Sequence, residues 1–128
     1  MSKKTGSIVA AMAFGVLAYA APVFAADVTG ILADGPCYAS SKANTTMAHA
    51  GMSATCATDC AKKGNQVVLV TKTGEVYDVM AMGALAGEKN AKLVPHMSHT
   101  VTLTGDVVNG AAGKNKMIHA TALKMVSQ

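Results

Sequence analysis

Cys37, Cys56 and Cys60 carry the most reactive chemistry in this chain. Ala54 to Lys63 runs without proline or glycine, and Cys56 and Cys60 are four apart within it, so both belong on one face of a helix. Their Cβ atoms should lie about 5–6 Å apart, whereas a disulfide wants about 3.8 Å. A bridge between those two would strain the helix. Cys37 lies in a small, polar stretch (CYASSKANTTMAHA) that reads as a loop and can approach either one.

Two arrangements follow. In one, Cys37 pairs with Cys56 or Cys60 in a disulfide that staples loop to helix, and the third cysteine is buried. In the other, three thiolates hold a soft metal ion, copper in the first place and zinc as the alternative. His49 is then the natural fourth ligand. In a continuous helix it would stand about 10 Å from Cys56 along the axis. Gly51 and Ser53 place the helix start later, with Ser53 as N-cap, so the segment bearing His49 can fold back. Cys56 would then take the third helical position, where free N–H groups lower a thiol pKa. This suits a ligand and equally a reactive thiol, so a thiol-redox protein using Cys56 is a third reading. Weaker metal candidates are Met47 and Met52 around His49, then Met80 and Met82, then His96 and His99. Thioethers and imidazoles stay available where thiols oxidise. Met117 and Met125 read instead as flexible core fillers, and His119 as a satisfied or surface residue.

Enzyme signatures are thin. Cys56-x-x-x-Cys60 is not the Cys-x-x-Cys of thiol oxidoreductases, and Asp59 beside Cys60 should raise that thiol's pKa. No nucleophile elbow, phosphate loop, His-Glu-x-x-His or Cys-x-x-Cys-His is present. No catalytic residue is assigned.

The 128 residues allow one ordinary domain. Lys3 and Lys4, the apolar run from Ile8 to Ala21, and Val23-Phe24-Ala25 read as a secretory signal, residues 1–25, leaving a domain of residues 26–128. The expected location is the periplasm or the exterior, where disulfides persist. No second apolar run follows, so no membrane insertion is expected after cleavage. Removing the signal takes the charge from +4 to +2 and leaves Tyr38 and Tyr77 as the aromatics, with no Trp and no Arg. That composition is poorly equipped for nucleic acid, which is held by aromatic platforms and Arg stacking. The expected partner is a metal ion or, on the staple reading, another envelope protein.

The elements that must position these side chains are mostly strands. Asp27 to Gly35, Val67 to Thr71, Glu75 to Val79, His99 to Val108 and Met117 to Val126 have strand patterns. Thr73-Gly74 makes a hairpin turn, and Gly105 a bend. The helix ends at Lys62, Lys63 and Gly64, and Met80 to Asn90 reads as a second, short helix. The fold class is mainly β with one principal helix: a small five-stranded OB-like barrel, closed or partly open. The principal helix falls between the first two strands, whereas an OB fold normally carries it between the third and fourth.

The stretch from Gly30 to Val79 resembles a loosely characterised group of small exported bacterial domains. The shared pattern is carried by Gly30, Asp34 and Cys37, then His49, Cys56-Ala57-Thr58-Asp59-Cys60, Gly64, Val67-Val68-Leu69-Val70 and Val76-Tyr77. Val101 to Gly105 and the strand from Ile118 look like that group's closing hairpin. The resemblance implies that the Cys/Cys/Cys/His constellation is a feature of the group, as staple or as metal site. No settled function travels with it.

Overall fold

The structure is a computed structural model, described for residues 25–47 and 54–128. Five strands close into a barrel in the order β1-β2-β3-β5-β4, with β4 returning to β1. They are β1 (Ala25–Asp34), β2 (Val67–Val70), β3 (Val76–Ala81), β4 (Thr100–Val108) and β5 (Lys116–Ser127). Neighbours run antiparallel except β3 and β5, which are parallel. This is the small OB-like barrel that the strand pattern predicts. Of the expected signal, residues 1–24 lie outside the described residues, and Ala25 opens β1.

Closing so few strands needs one strand shared between two neighbours, with a corner in it. β1 does this, pairing with β4 through Ala25–Ile31 and with β2 through Ile31–Asp34. Gly30 sits at the corner, where a Cβ would fall 2.5 Å from the Val70 carbonyl oxygen. The bend expected at Gly105 is a register shift in the β4–β5 ladder between Thr104 and Gly105. Gly74, at φ +84°, turns the β2–β3 hairpin.

The barrel interior is filled by Leu32, Leu69, Tyr77, Val79, Val101, Leu103, Ile118 and Ala120. One end is closed by Ala57 and Ala61 of helix α2 (Cys56–Lys62) with Leu93 and Met97, all four fully buried. Alanines at i and i+4 let the helix backbone approach the barrel closely. A separate cluster of Ala33, Tyr38, Val68 and Val70 lies under a short helix α1 (Gly35–Ser40).

Three expectations are corrected. The segment after Gly35 is not all loop: Asp34 accepts the Cys37 backbone N–H at 3.0 Å and Pro36 occupies the first turn, so the residues that end β1 also open α1. Met80 to Asn90 is not a helix. β3 runs on to Ala81 because β5 offers a parallel partner, and two single 3₁₀ turns follow, Gly83–Leu85 and Glu88–Asn90, with positive φ at Gly83, Lys89 and Asn90. Cys56 is the first residue of α2, not the third. Thr55 is the N-cap, and Ser53 lies outside the described residues. The helix position holds: α2 lies between β1 and β2, and the connection from β3 to β4 contains only 3₁₀ turns.

Candidate metal centre

Each cysteine is held by its own local device. Cys37 stands at the third position of α1. Its carbonyl accepts from Ser41 N–H at 3.0 Å, the Ser40 hydroxyl at 2.8 Å and the Asn44 side-chain amide at 2.9 Å. Cys56 and Cys60 each precede one of the barrel-facing alanines, Ala57 and Ala61. A step of one residue turns a helical side chain by about 100°, so both sulfurs flank the helix–barrel contact. The C-terminus of α2 ends in a Schellman turn: Gly64 N–H bonds to Ala61 O and Asn65 N–H to Cys60 O, with Gly64 at φ +91°. The Asn90 side-chain amide then donates to the Ala61 and Asn65 carbonyls at 2.9 and 2.8 Å.

These devices bring the three sulfurs within 4.8 Å of one another, with Cys56 and Cys60 Sγ at 3.8 Å. None of the three is joined in a disulfide. Cys56 is buried and the other two half-buried. Metal–sulfur bonds of about 2.3 Å put thiolates about 3.8 Å apart around a tetrahedral ion and about 4.0 Å apart around a trigonal one. The Cys56–Cys60 spacing is that of ligands around an ion, and Cys37 lies within 4.8 Å of both. The three cysteines can therefore hold a soft metal ion.

A fourth group borders the cluster that sequence reasoning left unweighed. Asp34 is 0% exposed. Its Oδ2 takes the Cys37 N–H, while Oδ1 is buried without a partner among the described residues. In the sequence it belongs to the shared pattern and stands three residues before Cys37, a place that reads equally well as a helix cap. The carboxylate shapes the thiols' acidity. Cys37 is pushed up from 9.0 to about 12, first by Asp34 accepting its S–H, then by burial, then by the charges of Asp34, Cys60 and Cys56. The Cys60 thiol also goes up, first through burial, then through its contact with Cys56 and the charge of Asp34. The carboxylate acting on Cys60 is thus Asp34. Asp59, expected in that role, accepts the Thr55 hydroxyl at 2.8 Å.

A pH dependence follows. Cys37 binds its proton more tightly folded than unfolded, so it favours the folded state fully below its ordinary pKa. That contribution is lost as pH rises from about 9 to about 12. The urea midpoint of the metal-free chain should fall across that window, and fall less steeply in Cys37→Ser. Equal slopes for the two proteins would contradict the assignment.

The remaining candidates are scattered. His49 and Met52 lie outside the described residues. Met47 packs against the barrel core: its Sδ accepts the Thr58 hydroxyl at 2.9 Å and its carbonyl accepts Ala57 N–H at 3.2 Å. Met80 and Met82 stand exposed, Met80 on β3 and Met82 just beyond it. The parallel ladder sets Met80 beside His119, a neighbour that no local spacing announces. His96 and His99 lie on the turn entering β4, where His96 Nδ1 is 3.1 Å from Sδ of Met125. Met97, not expected as core, is fully buried, whereas Met117 and Met125 are half-buried.

No family model, curated protein or solved structure matches the chain, so the three-sulfur geometry is the ground on which its chemistry is read.

Proposed function

We propose that this chain binds one soft metal ion, copper(I) in preference to zinc, through Cys37, Cys56 and Cys60, and stores or delivers it outside the cytoplasm. The observation that carries the reading is the ligand-like spacing of three sulfurs drawn from two separate helices. Three thiolates complete a trigonal shell, which copper(I) accepts and which zinc would extend to four. Where a fourth donor is taken, His49 supplies it. Met47 carries its carbonyl on the N–H of Ala57, next to Cys56, and two further residues of chain reach up to about 7 Å. The N-terminal 25 residues act as the export signal. With no nucleophile elbow, phosphate loop or thiol-oxidoreductase motif in the sequence, the role is sequestration or hand-over rather than turnover.

The test combines metal analysis with thiol counting on protein isolated from the periplasm, with and without a strong chelator. One ion per chain, and three thiols that titrate only after chelation, are expected. One free thiol and no metal would replace the proposal with a disulfide-stapled module that contacts another envelope protein. Turnover of a disulfide substrate would replace it with a thiol-redox protein.

A further inference from the structure

Three buried side-chain nitrogen or oxygen atoms have no partner among the described residues: Asp34 Oδ1, Ser98 Oγ and His99 Nδ1. The first borders the cysteine cluster. The other two share one turn, residues 96–99, between the 3₁₀ turn Val94–His96 and β4. Ser98 there adopts φ +66°, a left-handed conformation uncommon for serine. Tertiary contacts hold the turn in this shape. His99 N–H closes it onto His96 O at 3.1 Å. Ser98 N–H donates to Leu32 O at 2.7 Å, and Leu32 N–H donates to His99 O at 3.2 Å. Met97, between the two histidines, is locked into the core.

Opposite the turn stands Met125 of β5, in register with Val101. Its Sδ lies 3.1 Å from His96 Nδ1. With metal bonds of about 2.0 Å to nitrogen and about 2.3 Å to sulfur, donors that far apart would subtend about 90° at a shared ion, so the pair has to part slightly to give copper(I) or silver(I) a wider angle. A thioether selects soft ions, and imidazole suits copper. His99, three residues along the same turn, has a buried Nδ1 with no partner among the described residues, which makes it the candidate for a further imidazole.

We propose that His96 and Met125, with His99, form a second soft-cation site for a monovalent ion of the copper(I) and silver(I) class. The site is built of neutral donors, shares no ligand with the cysteine centre and does not need that centre to be occupied. Neutral donors hold a monovalent soft cation more loosely than three thiolates, which suits a point of entry or exit.

The test uses the full mature chain, reduced and labelled at the methionine methyl carbons, titrated with silver(I) as a redox-inert probe and followed by NMR. Two equivalents should bind. The second should move the Met125 methyl and the His96 ring signals. Met125→Leu, which conserves volume, and His96→Gln should each lose that second equivalent while keeping the first, read as thiolate absorbance. A Met125 methyl that stays in place through two equivalents would overturn the site. So would a folded Met125→Leu chain that still takes both, or a second equivalent that moves only Met80 and Met82. Loss of the first equivalent, with the Met125 shift intact, would count against the cysteine centre instead.

Discussion

Cys37→Ser lowers the affinity of the reduced chain for copper(I) by more than about 100-fold, while its thermal midpoint moves by only a few degrees. The size follows from what the substitution removes. Residues that merely support a metal ligand are worth about 10–100-fold, and this one takes away a ligand. Cys56 and Cys60, left alone 3.8 Å apart on one helix, keep a two-sulfur edge and lose the third donor. The fold is spared because serine keeps the two backbone groups that organise α1, the N–H on Asp34 and the carbonyl that gathers Ser40, Ser41 and Asn44. Cys56→Ser and Cys60→Ser should behave alike in binding. Met80→Leu, on the exposed β3 surface, should stay within twofold. Competition against a chromophoric copper(I) chelator measures all four, and a Cys37→Ser chain within threefold of the parent would remove Cys37 from the site.

Gly105→Ala lowers the melting temperature by about 10–20 °C. A Cβ on residue 105 would run into the carbonyl oxygen of His119 and crowd the Ala120 backbone. Both obstacles are main chain, so no side-chain rotation relieves the clash, and β4 must part from β5 at the bulge where their register shifts. Forcing atoms into a packed site costs about 1–3 kcal/mol. The upper end applies to backbone, and about 4–8 °C is lost per kcal/mol in a domain of this size. Gly83→Ala is the control: its φ of +55° makes alanine mildly strained, but nothing lies within 4 Å of the new Cβ. Calorimetry on both variants gives the answer, and equal, small losses would mean that the β4–β5 ladder does not need its bulge.

Both results draw on what could and could not be read along the chain. The strands were legible because β-branched runs such as Val67-Val68-Leu69-Val70 and alternations such as Val101-Thr102-Leu103-Thr104 carry their period within a few residues. The end of α2 was legible because Gly64 must supply the left-handed cap, and the shared face of Cys56 and Cys60 because a helix repeats every 3.6 residues. Local competition explains two of the misses. Asp34-Gly35-Pro36 signals a turn and a helix start with the same residues, and Met80 and Ala81 are ambiguous until β5 lies beside them.

What only the tertiary structure decided are the distances between residues far apart in sequence. That Cys37 meets Cys56 and Cys60, that Asp34 is sealed beside them with one oxygen unpartnered among the described residues, and that His96 faces Met125 are all consequences of barrel closure. Dihedral preference, capping and periodicity act over a single turn or strand, and the residues themselves carry them. Separations across the barrel are set by strand register and by the packing of α2 on the barrel end. Those are sums over the whole core, which no short stretch of sequence contains.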